Sequence, residues 1–234
     1  MDLLERLAEE PARAGLFLDV DGVLAPIVAR PEDATVPART REELRRLNAR
    51  YALVACVSGR DRPSLREVVG VPELVYVDNH GLGLDPEAAA WIPRLHDFLG
   101  TVEWPRLETK TFSAGLHFRD ADEETARAAL DAIAERARDA GFVTRYGRKV
   151  LEIIPPIRAN KGTAVRALLS ERCLQRALAA GDDTTDLDAF GALTDLELGV
   201  RVAVASDEGP AELRSAADIV VRDPGEFLSL LRQL

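Results

Sequence analysis

The sequence predicts an α/β protein, a parallel sheet with helices on both faces, interrupted by a smaller inserted α+β unit. Three observations predict it. At both ends of the chain short apolar runs alternate with amphipathic stretches, the pattern of repeated strand–helix–strand units. Between residues 86 and 156 the order changes to helix, strand, strand, helix, strand, strand, as in an antiparallel sheet backed by helices. Proline-bearing stretches at Pro86 and Pro155-Pro156 bound that interval. The expected division is a core of residues 1–85 and 157–234 and an inserted cap of residues 86–156.

Taken in order, Leu16-Phe17-Leu18 forms a strand that ends at Asp19. A helix over 38–50 places Leu44, Leu47 and Tyr51 on one face. Residues 53–57 form a buried strand, 62–69 a helix with Pro63 in its first turn, and 74–77 another strand. The inserted interval opens with a helix over 87–99 and strands at 107–112 and 114–119. Ala126, Ala129, Leu130, Ile133, Ala134 and Ala137 recur at helical spacing, and Gly141 ends that helix. Strands at 142–146 and 149–154 follow, with Gly147 as the turn between them. The alternation then resumes. A helix over 161–172 turns Val165, Leu168 and Leu169 inward, and a strand precedes Gly181. A helix over 186–193, a strand at 200–204, a short helix from Pro210, a strand at 219–221 and a final helix complete the core.

Composition excludes several classes. The 234 residues are 47 % apolar and 30 % charged, enough for a large core under a charged surface. A net charge of -10 opposes nucleic-acid backbones and anionic membranes. No apolar run reaches the ~18 residues that mark a membrane helix. Met1-Asp2-Leu3-Leu4-Glu5-Arg6 lacks the basic-then-apolar order of a secretory signal. Cys56 and Cys173 have no metal-type spacing and read as buried free thiols. The expected protein is a cytoplasmic monomer with neither a nucleic-acid nor a membrane partner.

Four polar motifs stand at the ends of apolar runs or the start of a helix. They are Asp19-Val20-Asp21-Gly22, Ser58-Gly59-Arg60, Asn160-Lys161-Gly162 and Gly181-Asp182-Asp183-Thr184-Thr185-Asp186. Ligands of open parallel sheets bind beyond the carboxyl ends of the strands, so these motifs can converge on one site. Two carboxylates in one turn, a hydroxyl, a lysine and a second acidic cluster suit magnesium-dependent chemistry on a phosphate. Asp19 is the candidate nucleophile, because a carboxylate can take up a phosphoryl group and divide one hard step into two. The carboxylates of Asp19 and Asp182 and the backbone carbonyl of Asp21 are the expected Mg2+ ligands. Asp21, two residues on, is the candidate general acid for the leaving group. Ser58 and nearby amides would donate to phosphate oxygens, and Lys161 at a helix start would add positive charge. Asp183 and Asp186 would orient Lys161 or metal-bound water from behind, and Gly22 and Gly59 would keep their turns tight. Singly, each motif reads as a loop, a solvated lysine or a helix cap. Their order along the chain favours the catalytic reading.

On these motifs the chain resembles the haloacid dehalogenase superfamily of phosphatases, and within it the trehalose-6-phosphate phosphatases, over almost its full length. The residues that carry the resemblance are Leu16–Ile27 (LFLDVDGVLAPI), Val57-Ser58-Gly59-Arg60, His80-Gly81, Leu116-His117-Phe118-Arg119, Asn160–Val165 and Gly181–Phe190 (GDDTTDLDAF). It implies a Rossmann-like core, a mobile cap, magnesium, and release of trehalose and phosphate from trehalose 6-phosphate. It also implies substrate-binding roles for Gly59, Arg60 and His80, and for Lys110, Arg119, Lys149 and Glu152 of the cap. The chain departs from the family in three places. Leu82-Gly83-Leu84 follows His-Gly where an acidic residue is usual, Ile154 precedes Pro155 where a basic one is usual, and Val23 replaces a common threonine. Sucrose phosphate and glucosyl-3-phosphoglycerate therefore stay open as substrates. The alternatives are a phosphomutase of the same fold, a phospho-receiver domain and a silent sugar-phosphate sensor. An acid pair placed after Lys161 opposes the receiver, and the presence of both Asp19 and Asp21 opposes the sensor.

Overall fold

The structure is a computed structural model that describes residues 2–118, 123–147, 149–205 and 209–234. The chain separates into two compact units, residues 1–81 with 159–234, and residues 82–158. The first unit begins with α1 (Leu3–Glu9), β1 (Ala14–Leu18), α2 (Ala38–Arg50), β2 (Leu53–Val57), α3 (Arg62–Val69) and β3 (Val75–Val77). The second holds α4 (Trp91–Leu99), β4 (Leu107–Thr109), β5 (Ala114–His117), α5 (Glu123–Asp139), β6 (Val143–Gly147) and β7 (Val150–Ile154). The first then resumes with α6 (Lys161–Glu171), β8 (Arg176–Gly181), α7 (Asp186–Gly191), β9 (Leu198–Val204), α8 (Ala211–Ala216), β10 (Ile219–Val221) and α9 (Pro224–Leu231).

The six strands of the first unit are parallel, in the order β10-β9-β8-β1-β2-β3. The chain winds one way from β1 through β2 to β3, and the other way from β8 through β9 to β10. The reversal falls at β1, where an open sheet of this kind forms its ligand crevice. β1, β2 and β8 are buried along their whole lengths, which accounts for the unbroken apolar sequences of β1 and β2 and for the apolar run of β8 after Arg176, whose charge is paired with Glu10. Alternation along each strand feeds two layers. Leu16 and Leu18 pack with Leu44 and Leu47 of α2 and with Phe227 and Leu230 of α9. Phe17, Ala55 and Ala179 face the other way, toward Val165 and Leu168 of α6 and Phe190 of α7. The period of two puts Asp19 on the Phe17 side, toward the start of α6.

In the second unit β4-β5-β7-β6 form an antiparallel sheet. Leu116, Leu151 and Ile153 of its inner face pack with Leu95 and Phe98 of α4 and with Leu130 and Ile133 of α5.

Five local features differ from expectation. Cys173, expected to be a buried thiol, is exposed in the turn that follows α6, while Cys56 is buried in β2 as expected. The first seven-residue helix, α1, was not anticipated; Leu4 and Leu7 anchor it in the core. The helix expected over 87–99 starts as a 3-10 turn, Ala88–Ala90, before α4. The strand expected over 107–112 stops at Thr109, and the Lys110 N–H bonds the Ser113 carbonyl (2.8 Å) in a turn. Gly147 is not the turn residue: it pairs with Val150 inside the ladder, while Lys149 takes the left-handed conformation (φ 61°). Among the described residues no helix is long and apolar enough to cross a membrane.

Candidate active site

Adjacent strands bring two of the motifs together. Leu18 of β1 stands opposite Ala180 of β8, and the Asp19 N–H still donates to the Ala180 carbonyl (3.0 Å). Asp19 therefore leaves the sheet beside the turn that carries Asp182. Asn160 caps α6. Its side chain accepts from the Thr163 N–H (2.8 Å), and the Thr163 hydroxyl accepts from the Asn160 N–H (2.9 Å). This reciprocal cap starts the helix at Lys161, whose side chain is thereby aimed at Asp19. Lys161 Nζ lies 2.9 Å from Asp19 Oδ1 and 2.6 Å from Asp186 Oδ1, and all three side chains are buried. Asp186 Oδ2 accepts the N–H groups of Asp182 (3.0 Å) and Asp183 (3.1 Å), folding the helix start back over its own loop.

Carboxylate oxygens of Asp19, Asp182 and Asp186 all lie within 4.8 Å of one another. Among the described residues the ammonium at contact distance from this trio is that of Lys161, which meets Asp19 and Asp186. Burial pushes the Asp19 carboxyl up to about 6, with Lys161 opposing the rise and Asp186 adding to it. Asp182 is pushed up to about 8 by burial and by the Asp19 and Asp186 charges. Burial would deprotonate Lys161, but Asp19 and Asp186 outweigh it and hold the ammonium charged. A magnesium ion fits this donor set. The set offers hard anionic oxygens, close together, whose repulsion a dication would relieve.

The Asp21 side chain turns to Arg60. Both its oxygens are taken by Arg60, with Nε to Oδ2 and Nη2 to Oδ1 each at 2.7 Å. Its carboxylate thus faces a guanidinium, leaving the backbone carbonyl as the atom expected to reach a metal. Ser58 is buried, and its hydroxyl oxygen accepts the Arg60 N–H (3.2 Å). The loop after β3 is stitched to this motif: the Asn79 N–H donates to Arg60 O (2.8 Å) and the His80 N–H to Ser58 O (2.9 Å). The His80 ring lies over Gly59, where a Cβ would come within 2.3 Å of Nε2. Asp183 is exposed, and its carboxylate accepts the Thr184 N–H (2.6 Å).

In the second unit, Glu152 shares a cross-strand row with Gly115 and Glu108 and is ion-paired with Arg145. Lys110 Nζ is 3.9 Å from Glu108 Oε1, and Lys149 Nζ lies 5.7 Å over the Phe118 ring. Arg119 lies outside the described residues. Sequence reasoning put Asp186 behind the site, whereas its carboxylate is in the central trio. The available signal was its position four residues after Asp182 at a helix start, the spacing at which a carboxylate can cap the preceding amides.

By its family and its relatives the chain is a phosphoric monoester hydrolase. A solved haloacid dehalogenase-like hydrolase from Bacteroides thetaiotaomicron shares the fold, at 14% identity and a TM-score of 0.63 over 94% of this chain and 99% of that one. The trehalose-phosphatase family model matches residues 17–94 and 93–224, and the chain belongs to that family. Trehalose 6-phosphate phosphatase RA3 of Zea mays is 32% identical over 94% of this chain and 69% of its own length. A solved trehalose-6-phosphate phosphatase related protein is 27% identical, with a TM-score of 0.71 over 93% of this chain and 95% of that one.

Proposed function

We propose that this chain hydrolyses trehalose 6-phosphate to trehalose and phosphate, with Mg2+ as cofactor and Asp19 as nucleophile. The observation that carries the reading is Lys161 Nζ bound to both Asp19 and Asp186 in a pocket of three carboxylates. The family match and the maize relative, a trehalose 6-phosphate phosphatase, support the substrate. Magnesium would be held by Asp19, Asp182 and the Asp21 carbonyl, with Asp186 alongside. It would offset the repulsion between phosphate and Asp19, about 4 kcal/mol per unit-charge pair at 4 Å and an effective dielectric near 20.

An Asp19 oxygen attacks phosphorus while the bond from phosphorus to the sugar oxygen breaks, and Asp21 gives its proton to that oxygen. Trehalose leaves. Water then attacks the aspartyl phosphate, Asp21 takes the water proton, and phosphate departs with Asp19 restored. Lys161 and Ser58 hold phosphate oxygens throughout, Lys161 as a charge and Ser58 as a neutral donor. Asp186 keeps Lys161 in place.

In this reading residues 82–158 are the cap, and its Lys110, Lys149 and Glu152 hold sugar hydroxyls, together with Arg119. A sugar that leaves one such group unpaired once bound substrate covers it loses about 1–3 kcal/mol of binding. The protein acts as a cytoplasmic monomer. Because Ile154 stands where the family usually has a basic residue, a different glycosyl phosphate is the second reading. Phosphate release with magnesium across trehalose 6-phosphate, sucrose 6-phosphate, glucosyl-3-phosphoglycerate and hexose phosphates tests it. Preference for trehalose 6-phosphate supports the first reading, and preference for another glycosyl phosphate the second.

A further inference from the structure

We propose that Arg60 is a positioning residue for Asp21 and does not bind substrate. This rests on the reading of Asp21 as the group that exchanges a proton with the leaving oxygen. Arg60 is 39 residues from Asp21 in sequence, yet its planar fork meets both carboxylate oxygens at 2.7 Å. A guanidinium offers five N–H donors and no acceptor, and this two-point match to a carboxylate is its most specific geometry. A third donor, on Nη1, is tied to Ser64 Oγ (3.1 Å) in the first turn of α3. That turn is itself fixed, because Asp61 caps the Ser64 N–H (3.1 Å). The Arg60 side chain is only 12% exposed, against 39% for Asp21. The guanidinium is therefore committed from both sides and braced by a helix, while the acid it holds is the more open of the two.

The consequence concerns the plane and reach of one carboxyl group. Asp21 sits in a turn and is the more exposed partner, so little besides the fork fixes its rotamer. The fork therefore sets the plane of that carboxyl group and how far it can reach toward the leaving oxygen.

A double-mutant cycle of Arg60→Ala and Asp21→Asn, assayed on trehalose 6-phosphate with magnesium, tests this. Arg60→Ala alone should lower kcat by about 10- to 100-fold, a part of the 10²–10⁴-fold expected from general acid–base catalysis. KM and inhibition by orthophosphate should stay within about twofold. Added to Asp21→Asn, it should cost less than about a further twofold. Arg60→Lys should not restore the rate, because an ammonium lacks the fork. The loss should shrink with p-nitrophenyl phosphate, whose leaving group departs without a proton, which a general structural role would not produce. Multiplying losses in the double mutant, or a weakening of orthophosphate inhibition as large as the fall in kcat, would overturn the proposal. If Arg60→Ala does not fold, Ser64→Ala enters the same cycle, with a several-fold loss that must vanish beside Asp21→Asn. Wild-type protein that releases no phosphate from any sugar phosphate would remove the underlying reading instead, and this inference with it.

Discussion

Gly22 lies against Asp182 so closely that a Cβ on the glycine would sit 2.0 Å from the Asp182 Oδ2. The two residues end neighbouring strands, β1 and β8, and no side chain larger than hydrogen fits between the turn and the carboxylate. Gly22 also has φ +82°, where an L side chain is strained.

Gly22→Ala should therefore displace Asp182. The backbone penalty alone is about 1–2 kcal/mol, and the steric conflict adds to it. The expected outcome is at least a 100-fold loss of phosphatase activity and weaker magnesium binding, with the melting temperature lowered by only a few degrees. Steady-state kinetics and a thermal melt with and without magnesium check both. Activity within tenfold of wild type would show that the site tolerates the shift.

Lys161→Met removes the ammonium between Asp19 and Asp186. Breaking a buried pair from one side costs about 3–5 kcal/mol, because the remaining charges lose their partner. Activity should disappear, and the metal-free variant should melt well below wild type at pH 8. The gap should narrow at pH 5, where the acids can hold protons in place of the lysine. Equal gaps at both pH values would contradict this.

Asp19 and Asp182 together set a pH dependence. Their carboxyl groups are raised from 3.8 to about 6 and about 8, so between pH 4 and 8 the metal-free folded protein holds protons that the unfolded chain has released. That stabilising contribution is complete below the unfolded value and is lost as pH rises through 6 and then 8. Glu10 and Glu226 are lowered from 4.5, held down by Arg13 and Arg222, so their contribution runs in the opposite sense and is lost only in more acid solution. Denaturant melts of the metal-free protein from pH 5 to 8.5 should show falling stability, and Asp182→Asn should flatten most of the slope.

The same raised groups predict proton release on metal binding. At pH 7 Asp182 still holds a proton in the metal-free protein, and magnesium must expel it. Calorimetric titration at pH 7 in buffers of different ionisation enthalpy should report about one proton released per ion. The release should disappear near pH 9.5. A zero value at pH 7 would contradict the assignment of Asp182 as a ligand.

What the sequence made legible follows from physics that acts locally. β1 and β2 are buried on both faces and so are written as continuous apolar runs, β8 is one after Arg176, and α5 repeats its alanines with Leu130 and Ile133 at helical spacing. Lys161 reads as a helix start and is one, with Asn160 as the cap that the structure adds. Other features depend on distant partners. α1 is short and becomes visible only through Leu4 and Leu7 in the core. Gly147 looked like a turn, yet the ladder includes it, and the left-handed position falls to Lys149. The fork between Arg60 and Asp21 joins two motifs through space, and no periodicity announces it. Asp186 looked like one acid among several until its carboxylate folded over the amides of Asp182 and Asp183.

The central claim is that Asp19 receives the phosphoryl group, and acid quenching during turnover tests it most directly. Protein mixed with magnesium and trehalose 6-phosphate carrying labelled phosphate should yield a labelled, hydroxylamine-sensitive protein, with the label on the peptide that contains Asp19. The Asp19→Asn protein should take up no label and release no phosphate. Full phosphate release by Asp19→Asn would contradict the account.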